Sequence, residues 1–153
     1  MKKKMKAGLS TVIAAASLTV TALMTSPASA ATIPFEWDDS VVTDVYPPNS
    51  NYKGMKCKGM PGSPDMVCFE KDGDRWWVLD ANQDGMSAVG EWYNKRNGQL
   101  YRQGACANSN GAPSWSICQK DYYEDSTITF RLAHYSKGEK VNNGAWSDDL
   151  PAG

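Results

Sequence analysis

The sequence is short of the residue types on which active-site chemistry most often depends. It has a single histidine, His134, in 153 residues. A Ser, Thr or Cys nucleophile needs a base beside it, so at most one such pairing could be built. No G-x-S-x-G or H-E-x-x-H motif occurs. No C-x-x-C pair occurs either, which with the lone His argues against zinc. Beyond the first thirty residues no segment carries helical periodicity. Basic residues are also scarce: of sixteen Lys and Arg, four (Lys2, Lys3, Lys4 and Lys6) fall in the first six positions. The rest of the chain has twelve against seventeen Asp and Glu, a net charge of −5. That balance disfavours nucleic acid and anionic membranes as partners, since both are bound through clustered Lys and Arg.

Residues 1–30 read as a signal peptide. The lysines form its positive start, Leu9 to Met24 its apolar stretch, and Ala28-Ser29-Ala30 an A-x-A cleavage site. A membrane anchor would need about 20 strongly apolar residues, and this segment is diluted by Ser and Thr. The expected product is secreted and extracellular, with no membrane insertion once the leader is removed.

The most informative stretch runs from Met66 to Trp92 and holds three of the six tryptophans. Asp72-Gly73 lies between two apolar runs and signals a β-hairpin. Pairing outward from it sets Glu70 opposite Arg75, Phe69 opposite Trp76, Cys68 opposite Trp77 and Val67 opposite Val78. One register thus joins opposite charges and apolar partners together, and a slip by one residue would break all of them. If Asn82 to Gly85 is the next turn, Val89 falls beside Val78 and Gly90 beside Trp77. Of Trp76 and Trp77, one is expected in the core and the other at least partly covered.

The same turn also matches the EF-hand loop pattern D-x-[DN]-x-[DN]-G-x5-E, at Asp80, Asn82, Asp84, Gly85 and Glu91. Calcium takes six to eight oxygen ligands, so alternate side chains must converge and a last Glu must close the cage. Asp80, Asn82, Asp84 and Glu91 are the candidate metal ligands on this reading, with calcium the one cofactor to consider. The loop resembles that of secreted dockerin-like modules, but no second copy is present. An entering helix would have to cross Asp72-Gly73, so a solvated acidic turn is the preferred assignment and no cofactor is expected.

Four cysteines remain after the leader: Cys57, Cys68, Cys106 and Cys118. An even count in an exported chain implies two disulfides, with three possible pairings. Cys57–Cys68 and Cys106–Cys118 are favoured because each closes a short loop rich in Gly, Pro or Asn. Asn97-Gly98 signals a second hairpin, and Ile128, Phe130, Leu132 and His134 alternate along a strand from Thr127 to Tyr135. The fold class is therefore all-β, an antiparallel sandwich or small barrel of roughly six or seven short strands. Residues 31–64 read as an irregular segment packing on the domain, with a strand only at Val41 to Tyr46. Residues 65–139 form the β domain, and 140–153 a loosely ordered tail.

Trp77 to Asp80, Asp84-Gly85-Met86-Ser87-Ala88, Gly104-Ala105-Cys106 and Trp115 to Cys118 follow the A-x-A leader in an order that resembles small secreted actinobacterial proteins of unassigned function. The β-rich layout is more distantly similar to lactococcin-type bacteriocins. The resemblance implies export and a β-sandwich, and it carries no catalytic residue.

The functional expectation is a non-catalytic extracellular binding or inhibitory protein, whose partner is an extracellular protein or glycan. No catalytic residues are assigned. His134 is read as a strand-end packing residue, and pairs drawn from Asp80, Asp84 and Glu91 carry no specificity for glycoside chemistry. Aromatic side chains suit binding faces, and Trp92, Tyr93, Tyr101, Tyr122 and Tyr123 are the candidates. For protease inhibition, the loop to suspect is Asn108 to Pro113, braced between Cys106 and Cys118.

Overall fold

Turn chemistry organises the strands. Asn97-Gly98 has positive φ at both centres, 52° and 74°, and so does Lys137-Gly138, at 52° and 83°. Two consecutive left-handed residues give the type I′ geometry that matches the twist of paired strands. At the first hairpin the left-handed pair is Gly73 and Asp74, at 101° and 50°. That is one residue later than a two-residue Asp72-Gly73 turn would place it.

The structure, a computed structural model, describes residues 32–47 and 54–153. The leader expected at 1–30 lies outside the described residues. Among them are eleven strands and no helix: β1 Phe35–Asp39, β2 Val41–Thr43, β3 Met55–Gly59, β4 Met66–Glu70, β5 Arg75–Asp80, β6 Ser87–Arg96, β7 Gln99–Asn108, β8 Ser114–Gln119, β9 Ser126–Ser136, β10 Glu139–Asn143 and β11 Leu150–Pro151. They form two sheets. One runs β1-β7-β6-β9-β10 with β11 beside β9, and the other runs β2-β8-β5-β4-β3. The expected all-β sandwich is what forms, with more strands than the turn count suggested.

The β4–β5 register is the expected one, from Glu70↔Arg75 to Val67↔Val78. The next expectation fails. β6 does not return to β5; residues 81–86 carry the chain to the other sheet, and the second neighbour of β5 is β8. Trp77 therefore lies between Cys68 and Ile117 rather than beside Gly90. Gly90 instead faces β4 and β5 across the sandwich, where a Cβ would come within 2.5 Å of Val67 Cγ2. Small size is needed there, but for contact between sheets.

The described residues on both sides of the 65–139 segment form strands as well. Residues 31–64 include β1, which runs parallel to β7 with Trp37 opposite Ala105. Gly104 permits this approach, because a Cβ there would meet the Glu36 carbonyl and the Trp92 ring. Glu36 then receives both Nε and an Nη of Arg102 at 2.7 and 2.8 Å, with Lys120 Nζ at 3.0 Å. The tail beyond residue 140 is held by its backbone. Gly144 N–H donates to Leu132 O, Ser147 N–H to Phe130 O and Ala152 N–H to Ser126 O. Tail side chains gave no hint of this, since backbone pairing does not depend on side-chain identity.

Between the sheets lies an aromatic core. Trp76 and Trp92 stack at 6.5 Å with planes 15° apart, and Phe69 and Phe130 pack on Trp76 at 4.7 and 5.3 Å. Trp76 Nε1 donates to the buried Tyr122 hydroxyl at 3.0 Å. Trp77 is buried as well, on the outer face of its sheet beside Cys68, and donates to Glu70. Both disulfides pair as expected. Cys57–Cys68 joins adjacent strands, and Cys106–Cys118 ties one sheet to the other.

Candidate functional site

Alternation along β1 turns Phe35, Trp37 and Asp39 to the outer face of the six-stranded sheet, and Glu36 and Asp38 the other way. Phe35 and Trp37 stay 50% and 44% exposed, with ring centroids 6.4 Å apart. Trp37 meets Tyr135 of β9 edge-on at 5.1 Å. On the same face Val89, Ala105 and Ala107 form a small buried cluster against which Tyr135 packs. These short side chains leave room for the larger rings above them.

Further across that face is Glu91, buried despite facing outward. It accepts from Arg131 Nε at 2.7 Å and from the Tyr135 hydroxyl at 2.6 Å, and Lys140 Nζ lies 2.6 Å away. Burial pushes its carboxyl up, but the bonds from Lys140, Tyr135 and Arg131 outweigh this and hold it below the usual range. Tyr93 stacks on Trp146 at 4.5 Å, and the Arg131 guanidinium covers Trp146 at 4.3 Å. The result is a face with exposed rings at one edge and a charge network at its middle.

A second cluster lies between the sheets. Asp65 continues the inward alternation of Val67 and Phe69, Asp80 that of Trp76 and Val78, and His134 that of Phe130 and Leu132. All three are buried. His134 Nε2 stands 2.8 Å from Asp65 Oδ2 as a close but poorly aligned contact, and Nδ1 has no hydrogen-bond partner among the described residues. Burial pushes the Asp65 carboxyl up, yet the Ala81 N–H, the Ser63 hydroxyl and His134 together bring it below the usual value. Asp80 differs: burial and the neighbouring Asp65 charge push it up to about 6. The period-2 pattern already includes His134, and extending it by one step along the other two strands gives Asp65 and Asp80 their inward positions.

The residues singled out earlier are dispersed. Trp92 and Tyr122 belong to the core, and Tyr122 also reaches a cavity lined by Tyr101 and Tyr123. Tyr101 and Tyr123 do meet at the surface, with centroids 5.5 Å apart and Arg96 lying 3.9 Å over Tyr123. Tyr93 is elsewhere, under Trp146. Of the four candidate calcium ligands, Glu91 parts from Asp80, Asn82 and Asp84, because β6 belongs to the other sheet: Asp80 faces inward while Glu91 is on the outer face with its own cations. Among the described residues no group of three or more His, Cys, Asp or Glu is placed to hold a metal. The Asn108 to Pro113 loop is anchored at its start, where buried Asn108 donates to Val78 O and Ser114 O. Phe35 and Trp37 sit in the segment expected to be irregular, and Asp65 stands at the first position of the expected β domain, ahead of β4.

No helix among the described residues is long and apolar enough to cross a membrane. Comparison with protein-family models, with curated proteins and with solved structures finds no match to this chain.

Proposed function

We propose that this is a secreted, non-catalytic binding protein that engages an extracellular glycan through the outer face of its six-stranded sheet. The observation that carries the reading is the pair Phe35 and Trp37, two large rings left half-exposed side by side on a strand. Rings of this kind supply contact area at little entropic cost and stack on apolar faces of ligands. Gln103, opposite Phe35 and anchored to the Ile33 carbonyl, and the Glu91 network provide polar groups close by. Export fits the A-x-A leader and the two disulfides, which persist in oxidising compartments.

Affinity electrophoresis through gels containing soluble neutral and anionic polysaccharides tests this. The oxidised protein is expected to be retarded by at least one of them. Trp37→Ala should weaken that interaction about 30-fold, the effect of losing an aromatic hot spot, while the melting temperature stays within a few degrees. Retardation that survives Phe35→Ala/Trp37→Ala, or none on any polysaccharide, would sink the glycan assignment.

A further inference from the structure

A cleft of about 370 Å³ opens beside the crossing between sheets, lined by Asp80, Asn82, Ser87, Ser109 and Gly111. Gln83 Nε2 donates to Ala112 O at 3.1 Å and so braces its two walls against each other. Among the described residues no Lys or Arg lines it. Asp80 is only 3% exposed, and the one hydrogen bond to its carboxylate among the described residues comes from the Asn82 backbone N–H. A buried carboxylate without a counter-ion is costly, and such groups are otherwise paired.

The titratable groups acting on Asp80 are Asp65, Asp84 and His134, and none of them is hydrogen-bonded to it. Asp65 already takes Ala81 N–H at 2.8 Å and Ser63 Oγ at 2.8 Å, and His134 is against it. Asp84 Oδ1 accepts from Met86 N–H at 2.9 Å. The cleft therefore offers one carboxylate without a counter-ion, with Asn82, Ser87 and Ser109 in the same lining.

We propose that this cleft binds a small organic cation through a primary ammonium group, with Asp80 as its counter-ion. One negative charge matches one positive charge, and the three N–H donors of an ammonium need further acceptors, which Asn82, Ser87 and Ser109 side-chain oxygens supply. A calcium ion would call for more carboxylates than the one left free. The site uses no residue of the Phe35–Trp37 face and stands or falls independently of it. An amino sugar and a lysine side chain share this chemistry.

Backbone amide NMR titration of the oxidised protein at pH 7.5 tests it, with D-glucosamine and Nα-acetyl-lysine amide as probes. N-acetylglucosamine and calcium serve as controls. Saturable shifts at Asn82, Ser87 and Ser109 are expected with at least one ammonium probe, and the probe that acts identifies the source. Asp80→Asn should weaken binding at least tenfold. Binding should also fade as pH drops through about 6, where Asp80 takes up its proton. The same variant should melt higher than wild type at pH 7.5. A carboxyl whose folded pKa lies above the unfolded one costs stability once it ionises, so the gap opens as pH rises from about 4 to about 6 and stays open above. No shifts with either ammonium probe, equal shifts with N-acetylglucosamine, a calcium response at these amides, unchanged binding by Asp80→Asn, or a lower melting point for that variant would each overturn the proposal.

Discussion

Alanine at both Cys106 and Cys118 is expected to destabilise the protein by about 3–5 kcal/mol, more than alanine at Cys57 and Cys68 does. The sequence separations are nearly equal, 12 and 11 residues, so constraint of the unfolded chain contributes almost the same to each. What differs is the folded state. Cys57 and Cys68 face each other on strands that the β3–β4 ladder already holds together. Cys106 and Cys118 connect β7 to β8, which share no ladder, and their sulfurs belong to the core between the sheets. Removing them forfeits the cross-link and leaves space beneath Trp76 and Trp92 to be refilled. Urea unfolding of the two double variants, with midpoint and slope compared, measures the difference. Equal losses would show that the inter-sheet position of the bridge adds nothing.

Trp76→Ala is expected to cost about 3–5 kcal/mol, a large share of the roughly 5–15 kcal/mol a domain has. Three mechanisms act together. The indole lies among Phe69, Trp92 and Phe130, so truncation opens the centre of the core. The stack with Trp92, 15° from parallel, is lost. The Tyr122 hydroxyl, which burial keeps protonated far above the usual tyrosine range, loses its indole donor while remaining enclosed. Trp76→Phe separates these effects, since it retains a ring and removes the donor; about 1–2 kcal/mol is expected. Thermal and urea unfolding of both variants check this. A Trp76→Ala loss under 1 kcal/mol would mean that the two sheets close over the gap, contrary to the packing described.

Much of the strand pattern was legible because it depends on neighbours. The Phe69↔Trp76 register follows from residues within ten positions of one another, and Asn97-Gly98 dictates its own turn. The site was less legible. Glu91 reads as the last ligand of a calcium loop until Arg131 and Lys140, some 40 and 49 residues downstream, are found against it. Trp92 reads as a binding aromatic because its sequence neighbours do not reveal that it lies under Gly104 and beside Trp76. Phe35 and Trp37 were passed over because a parallel edge strand needs no turn signal of its own.

The amino-acid sequence by itself determined the strand class, the hairpins around Gly73 and Gly98, the two cysteine pairs and the inward alternation of β9, all of which rest on local backbone preference or short loop closure. Only the tertiary structure decided that β5 pairs with β8, that β1 lies along β7 and that Asp80 and Glu91 part company. Backbone hydrogen bonds are blind to side-chain identity, so distant strands choose partners by how whole faces fit. That choice left Asp80 at a cleft with no cation among the described residues bonded to it, and Trp37 exposed on a sheet.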